Sequence, residues 1–249
     1  MGRDHRASRS AAAPFVIGLA GLLLTLGFGW LGTWQLERRA WKRDLIARVE
    51  HRLRALPVPA PGPADWPQVS RARDEYRRVR VSGRFLPGRR TLVFASTMLG
   101  PGYWLLSPLR DARGFTVLVN RGFVPSAHEA AAAPERAATI TGLLRLTEPG
   151  GDLLRSNDPR DDRWYSRDVP AIAAALRLGP VAPYFVDAAA GSDPRAYPRG
   201  GLTVISFPNN HLVYALTWYA LMALAGAATV VAIRHERRRA RMDSAAPEA

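Results

Sequence analysis

Cysteine is absent from the 249 residues. That excludes a disulfide framework, a thiol redox motif, Cys-liganded zinc and a cysteine nucleophile, and it is compatible with an oxidising compartment. Lysine is almost absent as well: of 35 basic residues only Lys42 is lysine. This arginine excess, with abundant Ala and Pro, reads first as GC-rich coding and second as a functional choice. Against 21 acidic residues it gives a net charge of +14. Such a balance points towards nucleic acid, but no nucleic-acid recognition motif accompanies it. Also missing are G-x-S-x-G, H-E-x-x-H, a P-loop and a G-x-G-x-x-G opening a helix. Gly100-Pro101-Gly102 joins two strands and reads as a turn; Asp161 and Asp162 read as a solvated turn. The five histidines (His5, His51, His128, His211, His235) make no metal-ligand spacing. An enzyme built on a standard nucleophile or metal site is not expected, and a membrane-anchored hydrolase would need a nucleophile–base pair that is not visible.

Charge is also missing from two long stretches. Pro14–Leu36 is uncharged over 23 residues and Leu212–Ile233 over 22. At about 1.5 Å per residue, a helix of either length crosses a hydrocarbon core of about 30 Å. Arg3, Arg6 and Arg9 before the first run raise a cleavable signal peptide as the rival reading. The run exceeds a signal core of roughly 7–15 residues, and no A-x-A-like site follows, so an anchor is expected. Trp30, Trp34, Tyr214, Trp218 and Tyr219 lie towards the ends facing the central region, as an interfacial belt would. Gly18, Gly21, Gly29 and Gly32, with Ala223, Gly226 and Ala227, suit close helix packing. Two spans put both termini on one side. Arginines flank the runs on both sides, but long connections translocate largely regardless of charge, so the tails decide and both termini are expected in the cytoplasm.

The expected fold is thus a membrane α+β protein. A tail (1–13) leads to the first span (14–36), a juxtamembrane helix (37–56) and a Pro-rich linker (57–68). A mainly antiparallel β domain with one or two short helices (69–210) precedes the second span (211–233) and a basic tail (234–249). In the juxtamembrane helix Gln35, Arg38 and Lys42 share a face, aimed either at anionic headgroups or at a ligand or partner. The linker, with Pro57, Pro59, Pro61, Pro63 and Pro67, reads as extended and unpacked. In 78–85, Val79, Val81, Gly83 and Phe85 alternate with Arg78, Arg80, Ser82 and Arg84, a strand with one basic face. Further strands are expected at 90–98, 103–109, 115–124, 138–147, 164–169, 183–187 and 202–207. Ser126 with Glu129 suggests a capping box, and 170–178 a short helix closed by Gly179.

One histidine stands apart by position. His211 occupies the first turn of the second span, with Tyr214 and Trp218 on nearby turns. Ionisable groups at membrane depth are costly and tend to serve a site. A neutral imidazole there can ligate haem iron, and Arg38 and Arg39 can pair with propionates. The plainer alternative is a helix cap or a headgroup contact.

Several blocks, in order, resemble the Surfeit locus protein 1 family. Gly32, Trp34, Gln35, Arg38 and Lys42 match its G-x-W-Q-x-x-R-x-x-x-K signature. Tyr76, Gly83 and Phe85, then Pro101-Gly102-Tyr103, then 119–125 (VNRGFVP) and 142–145 (GLLR) are similar to further blocks. So are Asn157, Pro159, Trp164-Tyr165, Asp168 and the run 209–219 (NNHLVYALTWY). Phe123 stands where the family often has Trp.

The resemblance implies an assembly factor for haem-copper cytochrome c oxidase, not an enzyme, with the main domain on the periplasmic or intermembrane-space side. The arginine-heavy composition and termini without a targeting peptide point to a bacterial inner membrane, and so to a periplasmic domain. The resemblance also implies transient haem a binding and delivery to subunit I, with haem a synthase and copper-delivery factors as further partners, and no nucleic acid. His211 would be the iron ligand, Trp34, Tyr214 and Trp218 would wall the ring, and Arg38 would hold propionates. The alternative is a scaffold that stabilises subunit I or a copper-delivery partner without binding haem, with Arg78, Arg80 and Arg84 as a docking face.

Overall fold

The computed structural model describes residues 4–152, 154–203, 205 and 207–245. The chain divides into a span unit (Met1–Ala47 with Ser206–Ala249) and a barrel unit (Arg48–Ile205).

The span unit consists of the membrane part of α1 (Asp4–Arg54) and of α5 (His211–Ala245). Both are long and apolar enough to cross a membrane, and very little of their apolar windows is buried within the protein. That is the condition of helices whose outer faces meet lipid. The juxtamembrane segment continues the span helix, as the absence of Gly and Pro from 37–56 predicts: α1 runs unbroken to Arg54. The two helices pack antiparallel along small residues. A Cβ built on Gly32 would fall 2.7 Å from the Tyr219 ring, on Gly29 3.0 Å from Met222, on Gly21 within 2 Å of Thr229, and on Gly18 3.5 Å from Ile233. The glycines let the helices approach closely, which supplies dispersion contact where lipid offers no hydrophobic drive.

Among its described residues the barrel unit holds seven strands: β1 (Val58–Pro59), β2 (Arg78–Phe85), β3 (Thr91–Thr97), β4 (Gly100–Asp111), β5 (Thr116–Val124), β6 (Ala137–Leu146) and β7 (Val181–Ala188). The sheet order is β1-β2-β6-β7-β5-β4-β3, and β2 also pairs with β4. That extra pairing joins β2, β6, β7, β5 and β4 into a ring. Closure removes the exposed edges an open sheet would carry. A register shift between Trp104 and Leu106 bends β4 so that it can serve β5, β3 and β2. All pairings are antiparallel except β1–β2 and β5–β7.

Alternation places Val79, Val81, Phe85, Val117, Val119, Tyr184 and Val186 inside the ring. Outside, Val93, Leu106, Leu118, Phe185 and Trp164 pack under α4 (Val169–Ala175), and Leu105 and Val124 pack under α3 (Ala127–Ala132). With both its faces covered, β5 is buried almost throughout. The Ser126 side chain accepts the His128 amide and lies on Glu129, and Asp168 caps α4 by accepting the Ala171 amide at 3.2 Å. α4 ends earlier than Gly179 predicts, because Arg177 takes the left-handed conformation (φ 49°).

Further expectations differ from the structure. Gly100-Pro101-Gly102 is not the turn but the start of β4, paired with Thr97, Ser96 and Ala95 of β3. The Pro-rich stretch is packed, not free: β1 pairs with β2, Ala60 is buried, and a 3-10 turn (Pro63–Gln68) sets Trp66 edge-on to Phe115 at 5.9 Å. Its carbonyls find partners there, Pro61 O accepting the Tyr184 hydroxyl at 2.6 Å. Residues 164–169 form a single bridge, Val93 to Trp164, instead of a strand, since Trp164 is committed to packing. No strand occurs among the described residues of 202–207, where Thr203 turns to a side-chain partner in the barrel, Asp187.

Candidate functional site

Residues recurring at steps of three and four build the α1 seam: Gly18, Gly21, Thr25, Phe28, Gly32 and Gln35. The matching α5 seam is His211, Ala215, Trp218, Met222, Ala225 and Thr229. Such heptad spacing keeps one stripe of each helix facing the other. Phe28 stacks on Trp218 with ring centres 5.7 Å apart, and the Tyr219 hydroxyl lies 3.2 Å from Thr33 Oγ1. At the top of the seam His211 Nδ1 lies 2.7 Å from Gln35 Oε1. With the amide oxygen as acceptor, Nδ1 carries the proton and the Nε2 lone pair is the one available to a metal. A partner on the other ring nitrogen is the usual way a metal-binding imidazole is oriented.

The remaining expected residues lie beside this pair instead of in it. Trp34 and Tyr214 are exposed, at 45% and 55%. Arg38 is exposed and sits over the Trp41 ring at 4.1 Å. At about 100° per residue, Arg38 is roughly 60° around α1 from Gln35, and Tyr214 is roughly 60° around α5 from His211. Because the helices are antiparallel, both offsets fall on the same flank, and Trp34 is on that side too. Trp218 stays near the seam. Arg39 is turned about 40° the other way and is half-buried. The structure thus pairs His211 with Gln35, gathers Trp34, Arg38 and Tyr214 along one flank, and sets Arg39 apart.

A second polar cluster, which the sequence did not suggest, lies on the outer wall of the barrel. Asp187, almost fully buried, accepts from Asn120 (2.8 Å), Arg145 (3.1 Å), Arg167 (3.3 Å) and Thr203 (2.9 Å). Arg145 also binds Glu75 (2.9 Å) and Glu148 (3.1 Å), and Arg167 binds Glu148. Burial alone would lower the Arg145 guanidinium; Asp187 first, then Glu75, outweigh it and hold it above its ordinary value. A cleft of about 530 Å³ opens beside this cluster, bordered by Tyr76, Met98, Trp104, Arg145, Arg167 and Leu202. With three carboxylates on Arg145 and two on Arg167, both guanidiniums are already satisfied, so the cluster reads as the brace of the wall. Its members lie from Glu75 to Thr203 along the chain, and no local spacing announces them. Among the described residues no group of three His, Asp or Glu side chains could hold a metal ion.

The family model described as the SURF1 family matches residues 22–223, a range holding Gln35, His211 and the whole barrel. Surfeit locus protein 1 of Mus musculus is 34% identical over 223 residues, covering 81% of this chain and 70% of its own length. The Homo sapiens protein of that name is 34% identical over 242 residues, covering 88% and 78%. A SURF1-like protein of Monosiga brevicollis is 35% identical over 213 residues, covering 78% of each. The chain belongs to the SURF1 family, known as cytochrome oxidase assembly factors.

Proposed function

We propose that this chain is a non-enzymatic assembly factor of haem-copper cytochrome c oxidase that carries haem a at the outer rim of its span pair and aids delivery to subunit I. The observation that supports this reading best is the His211–Gln35 contact at 2.7 Å. It orients an imidazole at the end of a close-packed helix seam, with Nε2 as the free ligand atom. His211 would hold the iron of the cargo. Arg38, on the shared flank, would meet propionates through charge-assisted hydrogen bonds. Trp34 and Tyr214 would lie along the ring, with Trp218 braced by Phe28 behind it. In this reading the barrel domain is periplasmic, both termini are cytoplasmic, and the membrane is the bacterial inner membrane. Haem a synthase and copper-delivery factors are the expected neighbours.

The test is the absorption spectrum of protein purified from cells that make haem a. Wild type is expected to carry haem with a Soret band that His211→Ala shifts or loses. Equal haem load and an identical Soret band in the two proteins would overturn the ligand assignment.

A further inference from the structure

Among the described residues, eight arginines of the barrel unit, between Arg73 and Arg167, pair with carboxylates. One wall of the barrel departs from that habit. On the outer face of β2, Arg80, Ser82 and Arg84 are all exposed. In register beside them on β6 stand Thr141, Thr139 and Ala137, with Ser82 and Thr139 joined at 2.9 Å. On the other side Arg110 of β4 stands directly opposite Arg84. Among the described residues, none of Arg80, Arg84 and Arg110 makes an ion pair; Arg110 reaches only the Thr116 hydroxyl at 3.3 Å. Asp111 borders a cavity beside Arg80 and Ser82, but it is buried and held by Arg113 at 2.8 Å.

Like charges directly opposite in an antiparallel pair are destabilising. A wall that keeps such a pair and presents cations and hydroxyls, with Ala137 beside Arg84, is complementary to a row of anions. Side chains on one face of a strand recur about every 6.6 Å, so Arg80 and Arg84 are roughly 13 Å apart with a hydroxyl midway. An extended acidic chain, with Asp or Glu at every second residue, repeats at the same interval. We infer that this wall docks an extended acidic segment of a partner protein, read by period-two carboxylates through guanidinium forks.

Single-stranded nucleic acid fits the wall less well, because no aromatic ring stands among these residues to stack a base. Lipid headgroups are laterally mobile and would gain nothing from a fixed two-residue spacing. The inference is independent of the haem reading, since no residue of the span pair takes part.

The experiment uses the full chain in nanodiscs of zwitterionic lipid. Fluorescence anisotropy would follow a labelled alternating Glu-Thr peptide, a block peptide of the same composition, and oligothymidylate. The alternating peptide is expected to bind at least about tenfold tighter than the block peptide. Arg80→Gln/Arg84→Gln/Arg110→Gln is expected to lose at least about tenfold of that binding, while melting no lower than wild type, because it relieves the Arg84–Arg110 repulsion. Equal affinity for the two peptides, or binding unchanged in the variant, would overturn the proposal. So would tighter binding of oligothymidylate, or flotation of the nanodiscs with phosphatidylglycerol vesicles that depends on these arginines.

Discussion

Gly32 lies under the ring of Tyr219 so closely that a Cβ there would sit 2.7 Å from Cε1. The contact is one turn below the Gln35–His211 pair and sets the distance between the helices at that level. Gly32→Val is therefore expected to push α5 away in spite of its gain in helix propensity, which is at most about 1 kcal/mol. Overpacking of this kind costs typically about 1–3 kcal/mol. If haem binds at His211, the variant should show a weaker Soret band with the barrel domain still folded by circular dichroism. A variant with full haem load would show that the rim does not depend on this approach.

The antiparallel pairing also has a direct chemical check, because the chain has no cysteine of its own. A Cβ on Gly21 would lie 2.7 Å from Thr229 Cβ, inside the separation of about 3.5–4.5 Å that a disulfide spans, so a small relaxation suffices. Gly21→Cys/Thr229→Cys should form an intramolecular disulfide on mild oxidation, seen as loss of maleimide labelling without a dimer band. Gly27→Cys/Thr229→Cys, with Gly27 off the seam, should stay reduced. Equal oxidation of both pairs would contradict the register.

How far the sequence foretold these features depends on how local each one is. The spans are legible because missing charge over more than 20 residues is a property of one segment. The basic face of β2 is legible because period-two alternation is local too, and its burial follows that pattern. Barrel closure is not, since the β2–β4 pairing joins Arg84 to Arg110 through backbone bonds that leave no composition signal. The proline-rich stretch shows only its stiffness in the sequence, and burial of Ala60 and the Trp66–Phe115 contact depend on partners elsewhere in the chain. On the span pair, sequence steps put Gln35 and Arg38 on one face. The seam then decides that Gln35 meets His211 while Arg38 stays on the flank.

Arg145 and Arg167 share two acids, Glu148 and Asp187, and of these Asp187 is the buried one. Removing one partner of a buried ion cluster leaves charge without compensation and costs about 3–5 kcal/mol. Asp187→Ala is expected to lower the stability of the barrel domain by that order, measured by chemical denaturation of the full chain in nanodiscs. Arg155→Gln, whose ion pair with Asp152 is largely exposed, should change stability by less than about 1 kcal/mol. If the two variants were equally stable, the cluster would not be the brace of the wall.

Tyr184 gives the barrel a pH response whose sign can be worked out. Its ring is fully buried and its hydroxyl donates to Pro61 O at 2.6 Å. Burial pushes its ionisation well above the ordinary value of 10.0, against a smaller opposing pull from Arg113. The unfolded chain therefore loses this proton at lower pH than the folded one. The resulting stabilisation is complete below about pH 10 and is lost as pH rises from there towards the folded value. Denaturation midpoints should thus show no dependence on Tyr184 between neutrality and about pH 9, then fall more steeply in wild type than in Tyr184→Phe. At neutral pH the Phe variant should be less stable by about 1 kcal/mol, from the lost hydrogen bond; the Pro61 carbonyl keeps the Trp66 indole N–H as a donor at 3.2 Å. Parallel alkaline limbs in the two proteins would mean that the hydroxyl ionises as easily folded as unfolded, and that the proline-rich stretch does not seal it from water.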